Sequence, residues 1–483
     1  MLLTPADLTL FADASGDRNP LHVDAEYARR TPFGQPVAHG VLAAVAALDE
    51  VPGPPGEVSG IDLEFRRPTH PGFPYSTNIS HELDGRTRVT VAEGTETCLT
   101  VRVTHGPGGT AVAEPLQPRS QPRSFAPEEF ASGLAVSGQY GPGSALETLM
   151  TRWPGAARLL GRHALAGLLW CSFVAGMELP GRDCLLNSVS LRLRPATGRP
   201  ALEYRAEVRD FDPRFGLLTV EAVLNDSTAV VAEATLETMV RRPAPGPDSD
   251  RLTAHLPCSD RLYGRTAAIV GGSRGLGAAL VLALASQGAR VLVGHRGGSL
   301  SALAAQGAEL GGEVVSCPGD AADPAWSDQV GRLAGGKLDL LVCSAAPPIR
   351  PLRLDTAGLS RVQTFVADAF ALVSAPLAGL LPALAKTSGR CLVVSSSAVT
   401  DPPADWPHYV AAKHALEGLA QWAAARHPEC EFFVSRPGML LTEQMNTPAT
   451  REIAQAVEPV AAAMAARLAD SAPAKSRPEI IAH

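Results

Sequence analysis

From His39 to Glu50 the chain is apolar at nearly every position, the signature of a helix buried on all sides. Apolar and polar residues then alternate in RVTVAE (88–93) and TCLTVRVTH (97–105), the period of a half-buried strand. An apolar helix ahead of several such strands predicts a helix enclosed by an antiparallel sheet. The plan repeats more weakly further on. HALAGLLWCSFVAGMELPG (163–181) precedes SVSLRLRP (188–195), ALEYRAEVRDF (201–211) and LLTVEAVL (217–224). Beyond residue 260 the pattern changes. TAAIVGG, VLVGH, LDLLVCSA, CLVVSSS and CEFFVSRPG are short continuous apolar runs, with a helix from Leu276 between the first two. Such runs alternating with helices predict an α/β doubly wound parallel sheet covered on both faces.

Two stretches without periodicity divide these regions: QPRSQPRSFAPEE (117–129) and RRPAPGPDSDR (241–251). The expected segments are 1–120, 125–242 and 262–475, since 483 residues exceed what one core accommodates. With 45% hydrophobic and 19% charged residues, the composition is that of a globular protein. A net charge of −7 and the absence of a basic run argue against a nucleic-acid surface. No basic-then-apolar leader opens the sequence, runs such as GVLAAVAAL (40–48) are too short to cross a membrane, and PEIIAH is not a peroxisomal tail. The eight cysteines show no paired spacing and are expected to be reduced, buried thiols. A cytoplasmic enzyme with no membrane or nucleic-acid partner is the expectation.

Candidate chemistry lies in the first and last segments. SGDRNPLH (15–22) places a carboxylate, Asp17, and an imidazole, His22, on one short loop stiffened by Pro20. Gly16 permits a tight turn, and Asn19 is suited to hold the loop through its backbone. Gly40 opens the apolar helix, whose first N–H groups can hold a thioester oxygen as it gains enolate charge. Its neighbour His39 is expected to pack or cap at the helix start. This set suits adding or removing water across the C2–C3 bond of an acyl thioester. The second segment has no Asp followed five positions later by His, so it is expected to lack this chemistry.

From Phe11 through SGDRNPLH and YARRTPFGQPVAHG, and weakly to about residue 115, the sequence resembles the MaoC-like (R)-specific enoyl hydratases, the hydratase 2 group of hot-dog proteins. The resemblance implies a hot-dog fold and an Asp17–His22 catalytic dyad, with the middle segment as a silent second hot-dog. The fold class expected for residues 1–242 is therefore an α+β double hot-dog.

The last segment carries a different constellation. VGGSRGLG (270–277) follows a strand and opens a helix; Gly271 suits the turn, Gly275 the approach of a pyrophosphate and Gly277 close helix packing. Ser396 ends a later strand, and Tyr409 and Lys413 share a helix face at i,i+4. A nearby ammonium is expected to lower the phenol's pKa, fitting Tyr409 to exchange a proton with a carbonyl oxygen. The chain has only four lysines, which sets Lys413 apart from a surface charge.

Over about 262–470 this segment resembles the short-chain dehydrogenase/reductases of 3-oxoacyl reductase type. That likeness implies Ser396, Tyr409 and Lys413 as catalytic residues. It implies cofactor contacts from Gly271, Ser273, Arg274, Gly275, Leu276, Gly277, Arg296, Asp320, Ala345, Lys413, Pro437 and Gly438. His295 stands where NAD-preferring members carry Asp, and Arg274 and Arg296 suit a 2′-phosphate, so NADP(H) is the expected cofactor. The family's NNAG is CSAA here (343–346), and Asp368 is the nearest match to its relay asparagine.

Both chemistries meet on a 3-hydroxyacyl thioester. The expectation is a bifunctional reductase and dehydratase acting on acyl-CoA or acyl-carrier-protein thioesters; the alternative is a reductase whose hot-dog half only docks or binds the acyl carrier. Arg29, Arg30, Arg66 and Arg67 are the candidate patch for an acidic carrier. A homo-oligomer is expected, since both folds commonly self-associate.

Overall fold

A computed structural model describes residues 1–53, 57–107, 120–194, 202–226, 229–356, 358–470 and 477–481. Residues 117–119 of the first linker, 195 and 201 at two expected strand ends, 475 at the last segment's end and 482–483 of the tail lie outside them. The chain forms two compact units, Met1–Thr31 with Gln35–Arg242, and Pro32–Gly34 with Pro243–His483.

The first unit is one nine-stranded antiparallel sheet. Its strands are β1 (Val58–Phe65), β2 (Ser76–His81), β3 (Thr87–Glu93), β4 (Glu96–His105), β5 (Ala135–Tyr140), β6 (Cys184–Leu193), β7 (Leu202–Asp212), β8 (Leu217–Asn225) and β9 (Val230–Val240). Their order is β2-β3-β4-β1-β6-β9-β8-β7-β5. The halves join where β1 pairs with β6, from Gly60 opposite Arg192 to Glu64 opposite Ser188. Each half wraps an apolar helix. Gly40–Leu48 is buried from Val41 to Leu48. The long helix Pro154–Phe173 breaks at Gly161 (φ 65), and every residue from His163 to Phe173 is buried.

The two helices share one core with inward strand residues such as Ile61, Leu63, Val101, Leu191, Val220 and Leu236. Burying each such aliphatic side chain stabilises by about 1.5–3 kcal/mol. The two sequence segments are thus halves of one unit, because neither half-sheet closes its edge until β1 meets β6. The helix Pro154–Phe173 continues through Glu178 and is long and apolar enough to cross a membrane, but 89% of that window is buried inside the sheet.

The second unit has a seven-stranded parallel sheet: β10 (Thr266–Val270), β11 (Arg290–His295), β12 (Glu313–Pro318), β13 (Leu340–Cys343), β14 (Arg390–Val394), β15 (Glu431–Ser435) and β16 (Glu479–Ile481). The order is β12-β11-β10-β13-β14-β15-β16, with separate apolar clusters on its two faces. Successive strands run one way from β10 to β12, and the chain then crosses to β13 on the other side. That reversal opens a crevice at the carboxyl ends of β10 and β13, where doubly wound sheets bind ligands. Val270 and Cys343 are paired there, so the glycine-rich turn and CSAA meet at the crevice.

Candidate active sites

In the first unit the helix Pro5–Ser15 ends at Gly16, whose φ of 76 is left-handed, and the chain turns inward at Asp17. Asp17 is only 3% exposed. Its Oδ1 accepts from the Asn19 amide at 3.1 Å, and its Oδ2 accepts from the Ser172 hydroxyl at 2.6 Å. His22 lies on the turn Pro20–Val23, and its Nδ1 bonds the Val37 carbonyl at 2.8 Å. That bond places the ring proton on Nδ1 and leaves the Nε2 lone pair free. A carboxylate oxygen of Asp17 and ring nitrogens of His22 and His39 all lie within 4.8 Å of one another. Acid and base are thus close enough to act on one substrate.

His39 packs and does not cap. No side-chain cap bond forms at the helix start; instead Nε2 bonds the Asp17 carbonyl at 3.0 Å, and the ring stacks on His22 with centroids 3.9 Å apart. Burial sets the charge state of the group. It pushes the Asp17 carboxyl up, outweighing His22, Ser172 and Asn19, and pulls both His22 and His39 down to about 3. A neutral imidazole therefore faces a carboxyl group whose charged form burial disfavours. Gly40 admits no side chain, since a Cβ there would meet the Phe65 ring at 2.6 Å, which keeps the first-turn N–H groups approachable.

The second half of the sheet supplies contacts that its sequence did not announce. Besides Ser172, the Asn19 side chain donates to the carbonyls of Gly176, Gly181 and Arg182 at 3.1–3.2 Å, so Asn19 holds the loop across the repeat as well as through Leu21. A Cβ on Gly176 would lie 2.3 Å from Asp17 Oδ1. The repeat carries no Asp followed five positions later by His, yet it contributes to the first site. We expect Ser172→Ala to lower dehydration about tenfold, the value of one bond to a charged or buried acid. The serine lowers the Asp17 pKa, so its loss raises that pKa further and moves the basic limb of the dehydration profile to higher pH. Initial rates across neutral pH check this; an unmoved limb would make Ser172 mere packing.

In the second unit Gly271 has φ 81, and a Cβ there would meet that of Ala345 at 2.8 Å. The amides of Gly271 and Gly272 are used by the Gly294 carbonyl. Arg274, the N-cap of the helix Gly275–Ala285, makes no side-chain cap bond, which leaves the first-turn amides to a ligand. A Cβ on Gly277 would sit 2.0 Å from the Gly271 carbonyl, so helix and turn touch directly. These residues fit a dinucleotide pyrophosphate. Pro437 is buried, its carbonyl accepting from the Ser397 amide at 2.9 Å, and Gly438 is exposed.

Ser396 follows β14 and hydrogen-bonds Tyr409, while Lys413 Nζ donates to the Val394 carbonyl at 2.8 Å and lies 5.4 Å from the centre of the Tyr409 ring. Tyr409 departs from expectation: burial raises its pKa and the Ser396 bond only opposes this, so no lowering by Lys413 is seen. Burial pulls Lys413 down to about 8, with Glu417 opposing. Glu417, unnoticed in the sequence, accepts from Ser395 at 2.6 Å and takes a two-pronged bond from Arg436 at 2.6 and 2.9 Å. It ties the strand end bearing Ser396 to the helix Pro407–Arg426 bearing Lys413 and to the segment preceding Pro437. Only the i,i+4 step from Lys413 hinted at it.

Several expectations are corrected. Asp368 is exposed on the helix Leu359–Ala385, whose buried face carries Phe365, Ala369 and Val373, so it does not stand in for the relay asparagine. The arginines of the patch are engaged by carboxylates: Arg29 and Arg30 share Glu26, Arg66 pairs with Glu64 and Arg67 with Glu96. Cys258 is exposed, unlike the other seven free cysteines. Of the residues expected near the adenosine, His295 bonds Ser316 and Gly297, Arg296 is exposed just beyond β11, and exposed Asp320 accepts from the Ala322 amide.

A helix-wrapping sheet with a buried acid–imidazole pair, and a doubly wound sheet with a Ser–Tyr–Lys set beside a glycine-rich turn, define a hydro-lyase-type site and a nicotinamide-dependent site on one chain. The chain belongs to the short-chain dehydrogenase family, matched over residues 265–453, and residues 1–101 match the MaoC-like domain. It is 32% identical over 203 residues to an uncharacterized oxidoreductase of Mycobacterium tuberculosis, covering 40% of this chain and 75% of that protein. It is 38% identical over 74 residues to a 3-hydroxybutyryl-CoA dehydratase of Methylorubrum extorquens, covering 14% and 47%. Over 82 residues it is 36% identical to an (R)-specific enoyl-CoA hydratase of Rhodospirillum rubrum, covering 16% and 57%. The chain spans about half the length of these two hydratase-type relatives.

Proposed function

We propose that this protein is a bifunctional 3-oxoacyl-thioester reductase and (3R)-hydroxyacyl-thioester dehydratase of fatty acid or polyketide metabolism, acting with NADPH in the cytoplasm. The observation that carries it is the pairing on one chain of an acid–imidazole site and a Ser–Tyr–Lys site, both suited to C3 of the same acyl thioester. The dehydratase and (R)-specific hydratase relatives support the first half. Arg274 at the start of the helix Gly275–Ala285 and Arg296 just beyond β11, with His295 in place of a carboxylate, support a 2′-phosphate and hence NADPH. The exposed Phe370 and Trp422, on helices packed against each other, support self-association through that face.

Bound nicotinamide would supply hydride to C3. Tyr409, held protonated by burial, donates its proton to the C3 oxygen, Ser396 bonds that oxygen, and Lys413 steadies the phenolate that forms. In the dehydration, His22 Nε2 takes a C2 proton while the first-turn amides beginning at Gly40 hold the thioester oxygen. Asp17 gives its proton to the C3 hydroxyl, which leaves as water with the C–O electron pair. The Asp17 charge that appears raises the basicity of His22, so each transfer assists the other. A proton passing from His22 back to Asp17 resets the pair.

The direct test is mass spectrometry after incubating the protein with 3-oxobutyryl or 3-oxooctanoyl thioesters and each nicotinamide. The expected product is lighter than the substrate by one oxygen, with NADPH preferred. Accumulation of the 3-hydroxyacyl thioester alone would instead favour a reductase with an acyl-docking half.

A further inference from the structure

Around the Asp17 loop, most arginines reach a carboxylate. Arg18 pairs with Asp13, Arg29 and Arg30 with Glu26, and Arg241 lies 3.6 Å from Asp183. Arg182 is exposed and has no carboxylate partner among the described residues; its guanidinium lies over the Tyr27 ring, 5.2 Å from the centroid. A second guanidinium, Arg241, lies 5.4 Å from the same centroid. Asp183 is the one carboxylate described against these two cations, also accepting from the Tyr27 hydroxyl at 3.1 Å. One positive charge is left over.

The backbone of Arg182 is part of the catalytic loop's support. Its carbonyl accepts from Asn19 at 3.2 Å, Tyr27 at 3.3 Å and Arg241 at 3.1 Å. The Arg241 charge is felt at His22, and the Asn19 bond ties the Arg182 backbone to the Asp17 loop. Cations stacked on one phenol, only half neutralised and presenting an outward guanidinium, form a receptor for an anionic oxygen group. On the dehydratase reading the substrate is an acyl thioester of a carrier, and the anionic group nearest that thioester is the phosphate ester of the pantetheine arm.

We propose that Arg182, backed by Tyr27 and Arg241, binds the phosphate of the phosphopantetheine arm that delivers the acyl thioester to Asp17 and His22. The proposal rests on the dehydratase reading. Coenzyme A and a carrier protein present the same phosphate ester, and the guanidinium fork matches its oxygens.

The test compares 3-hydroxybutyryl thioesters of pantetheine, 4′-phosphopantetheine, coenzyme A and a holo carrier protein, with the full chain and with Arg182→Ala and Arg182→Lys. In the parent protein, KM is expected to fall about tenfold from pantetheine to phosphopantetheine, one charge-assisted contact's worth. In Arg182→Ala that ratio falls to about one, and Arg182→Lys restores part of it. Comparing the coenzyme A and carrier arms shows which source is preferred. A ratio unchanged in Arg182→Ala, or a loss that strikes pantetheine and phosphopantetheine equally, overturns the proposal. If no thioester is dehydrated by the parent protein, the dehydratase reading fails separately. Calorimetric binding of coenzyme A against pantetheine, with and without Arg182, then still decides the phosphate site.

Discussion

Asp17→Asn is expected to stop the chain's chemistry at the 3-hydroxyacyl thioester, with dehydration reduced on the order of a thousandfold, within the range for loss of a general acid. The asparagine keeps the size of the side chain and a hydrogen-bonding partner for Ser172, so the buried loop is preserved. What disappears is the acid that gives its proton to the departing C3 hydroxyl, a group whose charged form burial disfavours. Hydride transfer in the second unit should continue, and the hydroxyacyl intermediate should accumulate under NADPH. Chromatography of the thioesters reads both steps in one experiment. Unchanged dehydration in this variant would remove Asp17 from the chemistry and favour a docking role for the whole hot-dog unit.

Tyr409→Phe is the mirror experiment. Without its hydroxyl, nothing at that position can protonate the C3 oxygen, and reduction should fall on the order of a thousandfold while dehydration of supplied 3-hydroxyacyl thioester persists. The pH dependence follows from the same groups. Burial raises Tyr409, so its proton is retained through neutral pH, whereas Lys413 sits at about 8. The ammonium is present below that value and lost above it, so the reductive rate should decline as pH rises through about 8. Glu417 holds the ammonium up, and Glu417→Gln should move this limb to lower pH. Stopped-flow measurement of NADPH oxidation against pH checks the limb. A rate independent of pH through this range would leave Lys413 without its assigned part.

The elements that carry chemistry were visible in the chain because their spacing is local. Asp17 and His22 are five residues apart on a turn shaped by Gly16 and Pro20. Tyr409 and Lys413 are one helical turn apart, and the glycines of 271–277 mark a strand-to-helix turn. The repeated pattern of apolar helix and alternating strands likewise carried the hot-dog plan. What it could not carry was the joining of the two sheets through β1 and β6, since strand pairing between distant segments leaves no periodicity behind. Asp368 shows the converse: aligned by position, it lies on the solvent side of its helix.

By itself, then, the order of residues determined which side chains could act as acid, base, phenol and ammonium, because covalent geometry holds near neighbours in place whatever packs around them. Tertiary structure alone decided their charge states and their supports. Ser172 reaches Asp17 across 155 positions of sequence, Gly176 makes room beside it, and Glu417 meets Arg436 from another element. Removal from water raises Asp17 and Tyr409 and lowers His22 and Lys413, and that depends on everything the chain folds around them.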